Sequence, residues 1–195
     1  MTECDKAIRL LEADRAFLKD LSCVGIIDAD TATSHHYSHL KNGSERSLYR
    51  LEQAGLIRSK IVVQNNRTYK TYTFASKEIA RAWGGNIPTI GSRRMDYHEL
   101  VTSRLYFQLD RPDDFRIASH FSGNDHLMCG DTLPDAMYTN ADGEIVFVEA
   151  DSGHYSKTQI LNKMRQWEHF KQVWGQPMKP SCRVVASQNV SVFTV

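Results

Sequence analysis

The run EIVFVEAD at 144–151 is apolar at almost every inner position, which is typical of a strand buried on both faces. Side chains alternate between the two faces of a strand. Ile145, Phe147, Glu149 and Asp151 therefore share one face of the predicted strand, and the two valines and the alanine share the other. One face of a buried strand thus ends in two acids, about 7 Å apart from two residues of rise.

A second acid-bearing strand precedes this one. The segment 135–139 can pair with it through the turn at 140–143. A turn of three or four residues sets Asp135 opposite Glu149 or Val148, with the two acids about 5 to 8 Å apart. The pattern therefore predicts a β-hairpin that gathers three carboxylates.

The rest of the second half supplies two helices and two more strands. Helical apolar spacing covers 95–109 and 156–174, and short apolar runs at 115–121 and 182–187 predict strands. The resulting order is αβββαβ. The residues expected to form the apolar stripes of the two helices are Leu100, Leu105 and Leu109 in the first, and Ile160, Met164, Trp167, Phe170 and Val173 in the second.

The first half has a different pattern. Helical spacing appears at 5–21, at 30–40 and at 45–53, and alternation predicts a hairpin of strands at 57–63 and 68–74, followed by a short helix at 76–83. The core of the third helix and the hairpin is expected from Leu48, Leu51, Leu56 and Ile57, with Gly55 as the helix C-cap. Three helices followed by a two-stranded wing predict a winged helix-turn-helix.

Charge separates the two halves. The chain has 195 residues and a net charge of +1, but residues 41–94 hold eleven Lys or Arg against three Asp or Glu. Such a basic block inside a near-neutral chain is typical of a polyanion-binding surface, although a solvated charged surface is the alternative. The residues expected to reach DNA from the third helix and the wing are Arg46, Tyr49, Arg50, Lys60, Arg67 and Lys70.

The acids of the second half predict a cation. Two charges about 6 Å apart repel by roughly 3 kcal/mol at an effective dielectric of about 20. Either one acid is protonated or a cation lies between them, and oxygen ligands suit Mg²⁺ or Mn²⁺. We therefore predict a metal site of Asp135, Glu149 and Asp151. A hairpin whose acids simply reach solvent is the alternative.

The motifs Pro134-Asp135 and Glu149-Ala150-Asp151, on an αβββαβ order, resemble the core of restriction-endonuclease-like nucleases. The whole chain, over about 5–190, resembles the relaxases of the MobC class and is similar to bacterial replication-relaxation proteins. That superfamily has Asp/Glu-x-Lys where this chain has Glu149 and Asp151. Lys157 or Lys163 from the following helix is expected to supply the missing amine, and Lys163 is our candidate catalytic residue.

Other polar residues offer alternatives at this site. His126 and His154 are candidates for a general base or a phosphate ligand, with surface histidine as the alternative. Tyr138 and Tyr155 are candidates for a covalent nucleophile, although restriction-type sites use metal-activated water. The histidines at 35, 36 and 39 lie on one short helix, where adjacent side chains point to different sides, and we do not expect zinc there.

These features predict a mixed α/β chain with a DNA-binding domain at 1–88 and a catalytic domain at 89–195. The resemblance implies a metal-dependent, strand-specific nicking endonuclease that acts at a plasmid transfer origin, with an accessory relaxosome protein and a coupling protein as partners. A DNA-binding regulator with a decayed nuclease fold is the alternative. Scattered cysteines and the lack of an 18-residue apolar run predict a cytoplasmic chain without a membrane span. Because VSVFTV ends inside a strand pattern, we expect the native chain to continue beyond Val195.

Overall fold

The fold is mixed α/β, as the sequence predicts. The computed structural model describes residues 9–40, 43–64, 66–85, 93–118, 121, 133–151, 156–173, 181–186 and 192–194. None of the helices among these residues has the length and apolar character of a membrane span.

The first half contains helices around a small antiparallel sheet. Its strands are ordered β1-β3-β2. In chain order the elements are α1 (Glu12–Val24), β1 (Ile27–Asp28), α2 (Ala29–Ala32), a π-helical turn (Thr33–Tyr37), α3 (Gly43–Gln53), β2 (Ile57–Gln64), β3 (Arg67–Phe74) and α4 (Lys77–Ala82). The predicted third helix, the hairpin and the short helix after it are confirmed.

Helix α1 begins later than the pattern predicted. The Asp14 carboxylate accepts a hydrogen bond from the Leu11 N–H at 2.7 Å, which satisfies a backbone donor at the start of the helix. The helix ends at Gly25, whose φ of 75° is the left-handed conformation common at helix C-caps. Among the described residues the helix therefore starts at Glu12 and runs on to Val24, and the first part of the predicted segment, 5–8, lies outside them.

The second half is built on a five-stranded sheet ordered β4-β5-β6-β7-β8. Its elements are α5 (Arg93–Gln108), β4 (Arg116–Ile117), β5 (Ala136–Thr139), β6 (Ile145–Asp151), α6 (Lys157–Val173), β7 (Ser181–Ala186) and β8 (Val192–Thr194). Strands β6 and β7 are parallel, whereas the other neighbours in the sheet are antiparallel. The helix between the two parallel strands is α6, as a crossover requires.

The two faces of β6 contact different helices, as its alternation predicts. Val146 and Val148 enter the main core with side chains of α1 and α5. On the opposite face Phe147 stacks on Trp167 of α6 with ring centroids 5.0 Å apart. Glu149 follows Phe147 on the α6 face, two residues along the strand.

One hydrophobic core joins the two halves. Phe17 and Leu21 of α1 belong to the same buried cluster as Leu105 of α5 and Val146 of β6. Polar contacts cross the same boundary, because the Arg104 guanidinium of α5 donates to the Asp28 carboxylate at 3.0 Å. The division at 88 and 89 therefore remains a prediction, and α5 contacts both sheets.

Two details of the predicted elements are wrong. The strand predicted at 115–121 is Arg116–Ile117 in the structure, where it pairs with Met137 and Ala136 of β5; 119 and 120 are outside the described residues. Val173 does not face the sheet and is 65% exposed. It lies six residues after the buried Trp167, and 3.6 residues per turn rotate it about 120° from that face.

Candidate carboxylate site and basic face

Asp135 lies immediately before β5, beside the strand that carries Glu149. Ala136 pairs with Val148, which confirms the predicted β5–β6 hairpin, and the Asp135 N–H donates to the Val148 carbonyl at 2.9 Å. The charge of Asp135 raises the pKa of Glu149, so the two carboxyl groups are close enough to interact.

Glu149 is bound to two side chains of α6. Its side chain is only 3% exposed, and its Oε2 forms an ion pair with the Lys163 ammonium. The Trp167 indole N–H donates to Oε1 at 3.1 Å. Lys163 and Trp167 are one helical turn apart, at i and i+4, so both reach the same strand position. Helix α6 thus supplies the amine that the strand lacks at position 151.

Asp135 is also bound through both carboxylate oxygens. Its Oδ1 lies 2.8 Å from Nε2 of His98 on α5, and both side chains are about one-fifth exposed. Its Oδ2 accepts the Ala150 N–H at 2.7 Å. The carboxylate plane is therefore fixed from the backbone of β6 on one side and from α5 on the other.

The two acids have opposite electrostatic environments. Burial, together with repulsion from Asp135, raises the pKa of Glu149 to about 7, although Lys163 and Trp167 oppose the shift. Burial also disfavours the Asp135 anion, but the hydrogen bond and charge of His98 outweigh it and the pKa of Asp135 is lowered. The pKa of His98 is raised, because its contact with Asp135 outweighs burial. The two carboxyl groups thus face a lysine and a histidine.

The donor set suits a hard divalent cation. Mg²⁺ is commonly held by one or two carboxylates, with water and substrate phosphate completing its octahedron. Asp135 and Glu149 provide two such carboxylates on one face. Within the described part of the chain, no group of three or more His, Cys, Asp or Glu side chains is arranged to hold a metal ion. The side chain of Asp151, the third predicted ligand, is outside the described residues.

The remaining candidates for this site fall into three classes. Lys157 begins α6 and is exposed, about 1.7 turns before Lys163. Tyr138 pairs with Val146, so it lies on the sheet face opposite the acids, where it is buried and stacks on Phe115. The idea that Tyr138 lies beside the acids is therefore wrong. His126, His154 and Tyr155 are outside the described residues.

Several of the predicted DNA-contacting residues surround one open groove. The groove has a volume of about 650 Å³ and lies between α2, α3 and β3. Arg46 and Tyr49 of α3 and Lys70 of β3 line it, and Tyr49 is 62% exposed. Asp30 and Glu45 contribute negative charge to the same lining. Lys60 and Arg67 are exposed elsewhere on the β2–β3 hairpin.

Arg50 has a different position from the one predicted. Its guanidinium forms an ion pair with Asp14, a fully buried carboxylate of α1, and donates to the Arg9 carbonyl at 2.7 Å. The same Asp14 accepts from the Tyr37 hydroxyl at 3.3 Å. Arg50 therefore ties α3 to α1 rather than extending outward, because a buried acid needs a charged partner.

The sequence reasoning missed His98 and the indole donor of Trp167. Trp167 was expected on the sheet-facing stripe, so its contact with Phe147 was predictable, but its hydrogen bond to Glu149 required the helix position. His98 follows Tyr97 on α5. The apolar stripe of α5 predicts which side of the helix faces the sheet, but not where along the sheet the helix lies. No signal in the chain pairs His98 with Asp135, 37 residues later.

Comparison of the chain with models of known protein families, with characterised proteins and with solved structures finds no match. The geometry of the site and the sequence motifs are therefore what bears on function.

Proposed function

We propose that this chain is a metal-dependent DNA endonuclease whose active centre is formed by Asp135, Glu149 and Lys163. One observation carries the proposal. Two interacting acids lie at one end of the β5–β6 hairpin, and a lysine from the following helix contacts the more buried of them. Two neighbouring carboxylates together with an amine are the groups that metal-dependent phosphodiester cleavage uses.

The sequence lacks the lysine of the resembled motif, and Lys163 bears on that difference. The resembled nucleases have a lysine two residues after the glutamate of the strand, whereas this chain has Asp151 there. The Lys163 ammonium reaches the same glutamate from α6. An amine is thus available beside Glu149, even though the motif lacks it.

The proposed roles follow from charge and position. Asp135 and Glu149 would hold Mg²⁺ or Mn²⁺, and the side chain of Asp151 belongs to the proposed ligand set. Such an ion, when bound, polarises a phosphodiester and lowers the pKa of its bound water. Lys163 would stabilise the negative charge that develops on the phosphate. Trp167 holds one oxygen of Glu149 and packs on Phe147, which keeps the carboxylate in place.

The fold assignment belongs to the same proposal. We assign residues 1–88 as a winged helix-turn-helix and the elements from α5 to β7 as a restriction-endonuclease-like core. The order α5-β4-β5-β6-α6-β7 and the parallel β6–β7 pair support this assignment. The basic residues around the groove beside α3 would bind DNA, chiefly through phosphates.

The more specific role is a relaxase that nicks plasmid DNA at its transfer origin. The sequence resemblance to MobC-class relaxases supports it, and an accessory relaxosome protein and a coupling protein are its implied partners. This role predicts cleavage of one strand of a supercoiled plasmid that carries the cognate origin.

A second candidate is a DNA-binding regulator with an inactive nuclease fold. In its favour, each oxygen of Asp135 and Glu149 already has a protein partner. A site balanced in this way is stable without a divalent ion. The two candidates therefore differ in whether Asp135 and Glu149 also bind a divalent ion through their remaining lone pairs.

Metal-dependent nicking separates them. The chain is incubated with a supercoiled origin plasmid in Mg²⁺, in Mn²⁺ or in EDTA, and the nicked circle is quantified. We expect nicking in either metal, a loss of about 100-fold in Lys163→Met and little change in Lys157→Met, a lysine of the same helix. DNA binding without nicking in either metal would favour the regulator.

A further inference from the structure

Helix α5 is fixed against the sheet beside the carboxylate site. Tyr97, Leu100 and Val101 form a buried cluster with Ala150 of β6 and Val62 of the β2–β3 hairpin. Tyr97 also lies against Tyr69 with ring centroids 5.7 Å apart. The turn of α5 that carries His98 is therefore held on both sides by packed neighbours.

Two contacts hold the Asp135 carboxylate, one from His98 and one from the backbone of β6. Nε2 of His98 lies 2.8 Å from Oδ1 of Asp135, and the Ala150 N–H donates to Oδ2 at 2.7 Å. A carboxylate held through one oxygen alone retains rotation about its side-chain torsions. Held through both oxygens by two different elements, it keeps one orientation. Each oxygen still has a lone pair for a metal, since a carboxylate offers about four acceptor sites.

We infer that His98 is a positioning residue of the proposed metal site, which orients Asp135 for the divalent ion without binding the ion itself. The inference rests on the proposed function. Removing a partner that orients a metal ligand typically lowers metal affinity or activity by about 10- to 100-fold. The expected loss in His98→Ala is of that size.

The test is Mn²⁺ affinity of the full chain, measured without DNA by isothermal titration calorimetry and by the electron paramagnetic resonance signal of free Mn²⁺. We expect His98→Ala to bind Mn²⁺ about 10-fold or more weakly than wild type. His98→Gln should stay within about threefold, because its amide N–H reaches the same oxygen. His169→Ala, an exposed histidine of α6, is the matched control and should bind as wild type does.

A nicking assay at increasing Mn²⁺ distinguishes a positioning role of His98 from a purely structural one. If His98 acts through Asp135, saturating Mn²⁺ should restore the His98→Ala rate to near the wild-type rate. A rate that stays low at saturation would overturn the positioning role, and so would equal Mn²⁺ affinities of His98→Ala and wild type. Should alanine fail to fold, a weak-binding His98→Gln would overturn it equally, since glutamine preserves the donor.

The outcomes distinguish this inference from the proposed function. Mn²⁺ binding by wild type, lost in Asp135→Ala but unchanged in His98→Ala, would overturn the role of His98 alone. Absence of Mn²⁺ binding by wild type, with or without DNA, would overturn the proposed function itself. In metal-free wild type, long-range ¹H–¹⁵N spectra should show the His98 proton on Nε2, and Asp135→Asn should shift that signal.

Discussion

Buried acids occur in both halves of the molecule, but their partners differ. In the first half Asp14, Asp20 and Asp28 are each paired with an arginine, which is Arg50, Arg111 and Arg104 respectively. In the second half Asp135 and Glu149 stand side by side, and their partners are His98 and Lys163. The first set consists of separate ion pairs, and the second is one shared site.

The residue type that partners each acid differs between the two halves, and this difference bears on whether the acid can bind another cation. Arginine is always charged and binds carboxylates in a rigid planar geometry, whereas lysine and histidine exchange protons and partners more readily. The pKa of Asp28 is lowered, because hydrogen bonds from Arg104 and Thr31 outweigh burial, and His98 lowers that of Asp135 in the same way. Glu149 differs from both, since burial and Asp135 raise its pKa. The arginine pairs hold elements together, and the shared site retains acids that a metal could bind.

The largest expected effect is on nicking. Asp135→Ala should reduce metal-dependent nicking about 10³-fold, because it removes a proposed metal ligand, and should leave DNA binding near wild type. Asp142→Ala, which removes an exposed acid in the turn of the same hairpin, is the control and should nick normally. Full nicking by Asp135→Ala in Mg²⁺ and Mn²⁺ would remove the metal-site interpretation.

Substitutions in the arginine pairs should change the free energy of unfolding and not nicking. Asp28→Asn should lower the free energy of unfolding by about 3 kcal/mol, because it breaks a buried ion pair that also caps α2. The neighbouring exposed acid gives the control, since Asp30→Asn should change stability by less than about 0.5 kcal/mol. Urea unfolding measures both. Equal losses of unfolding free energy in the two variants would show that the Asp28–Arg104 pair contributes no more to stability than an exposed acid does.

Two arginines of α3 should give opposite results. Arg50→Ala should destabilise the chain by about 2 kcal/mol, because it leaves the buried Asp14 without its cation. It should not change the salt dependence of DNA binding. Arg46→Ala should leave stability unchanged and lower the slope of log affinity against log salt by about one unit. The different roles of the two arginines would be contradicted if Arg50→Ala weakened DNA binding as Arg46→Ala does and kept the wild-type free energy of unfolding.

A pH dependence of stability is the smallest effect per pH unit, although it accumulates to about 3 kcal/mol between pH 4.5 and 7. Glu149 has a folded pKa of about 7, above its ordinary 4.5, so its protonated form favours the folded state. Its contribution to stability is fully present below about pH 4.5 and is lost as pH rises through 7, by at most about 1.4 kcal/mol per pH unit. The difference in unfolding free energy between wild type and Glu149→Gln isolates it. A difference that is flat from pH 4 to 8 would contradict the raised pKa.

Much of this arrangement could be predicted from periodicity. Alternation in 144–151 gave the two faces of β6, and the turn length gave the meeting of Asp135 and Glu149. Both depend on contacts close in sequence, where geometry is nearly fixed. The side of α3 that carries Arg46 and Tyr49 followed from helical spacing in the same way.

The parts that failed depend on contacts distant in sequence. Arg50 was expected outward, but a buried acid 36 residues earlier binds it. His98 and Lys163 reach the hairpin from two different helices, and their positions are set by how α5 and α6 pack on the sheet. Periodicity gives the face of a helix and not its shift along the sheet, so Lys157 stayed an alternative to Lys163, the predicted residue, which is the one that contacts Glu149.

The most direct test of the central claim is a paired measurement on Glu149→Gln. Glutamine retains an acceptor for the Trp167 indole and removes the repulsion with Asp135. We predict a variant at least as stable as wild type at pH 8, by up to about 3 kcal/mol in urea unfolding, with metal-dependent nicking lost. A variant that nicks at the wild-type rate, or that loses about 3 kcal/mol of stability as Asp28→Asn should, would contradict the account.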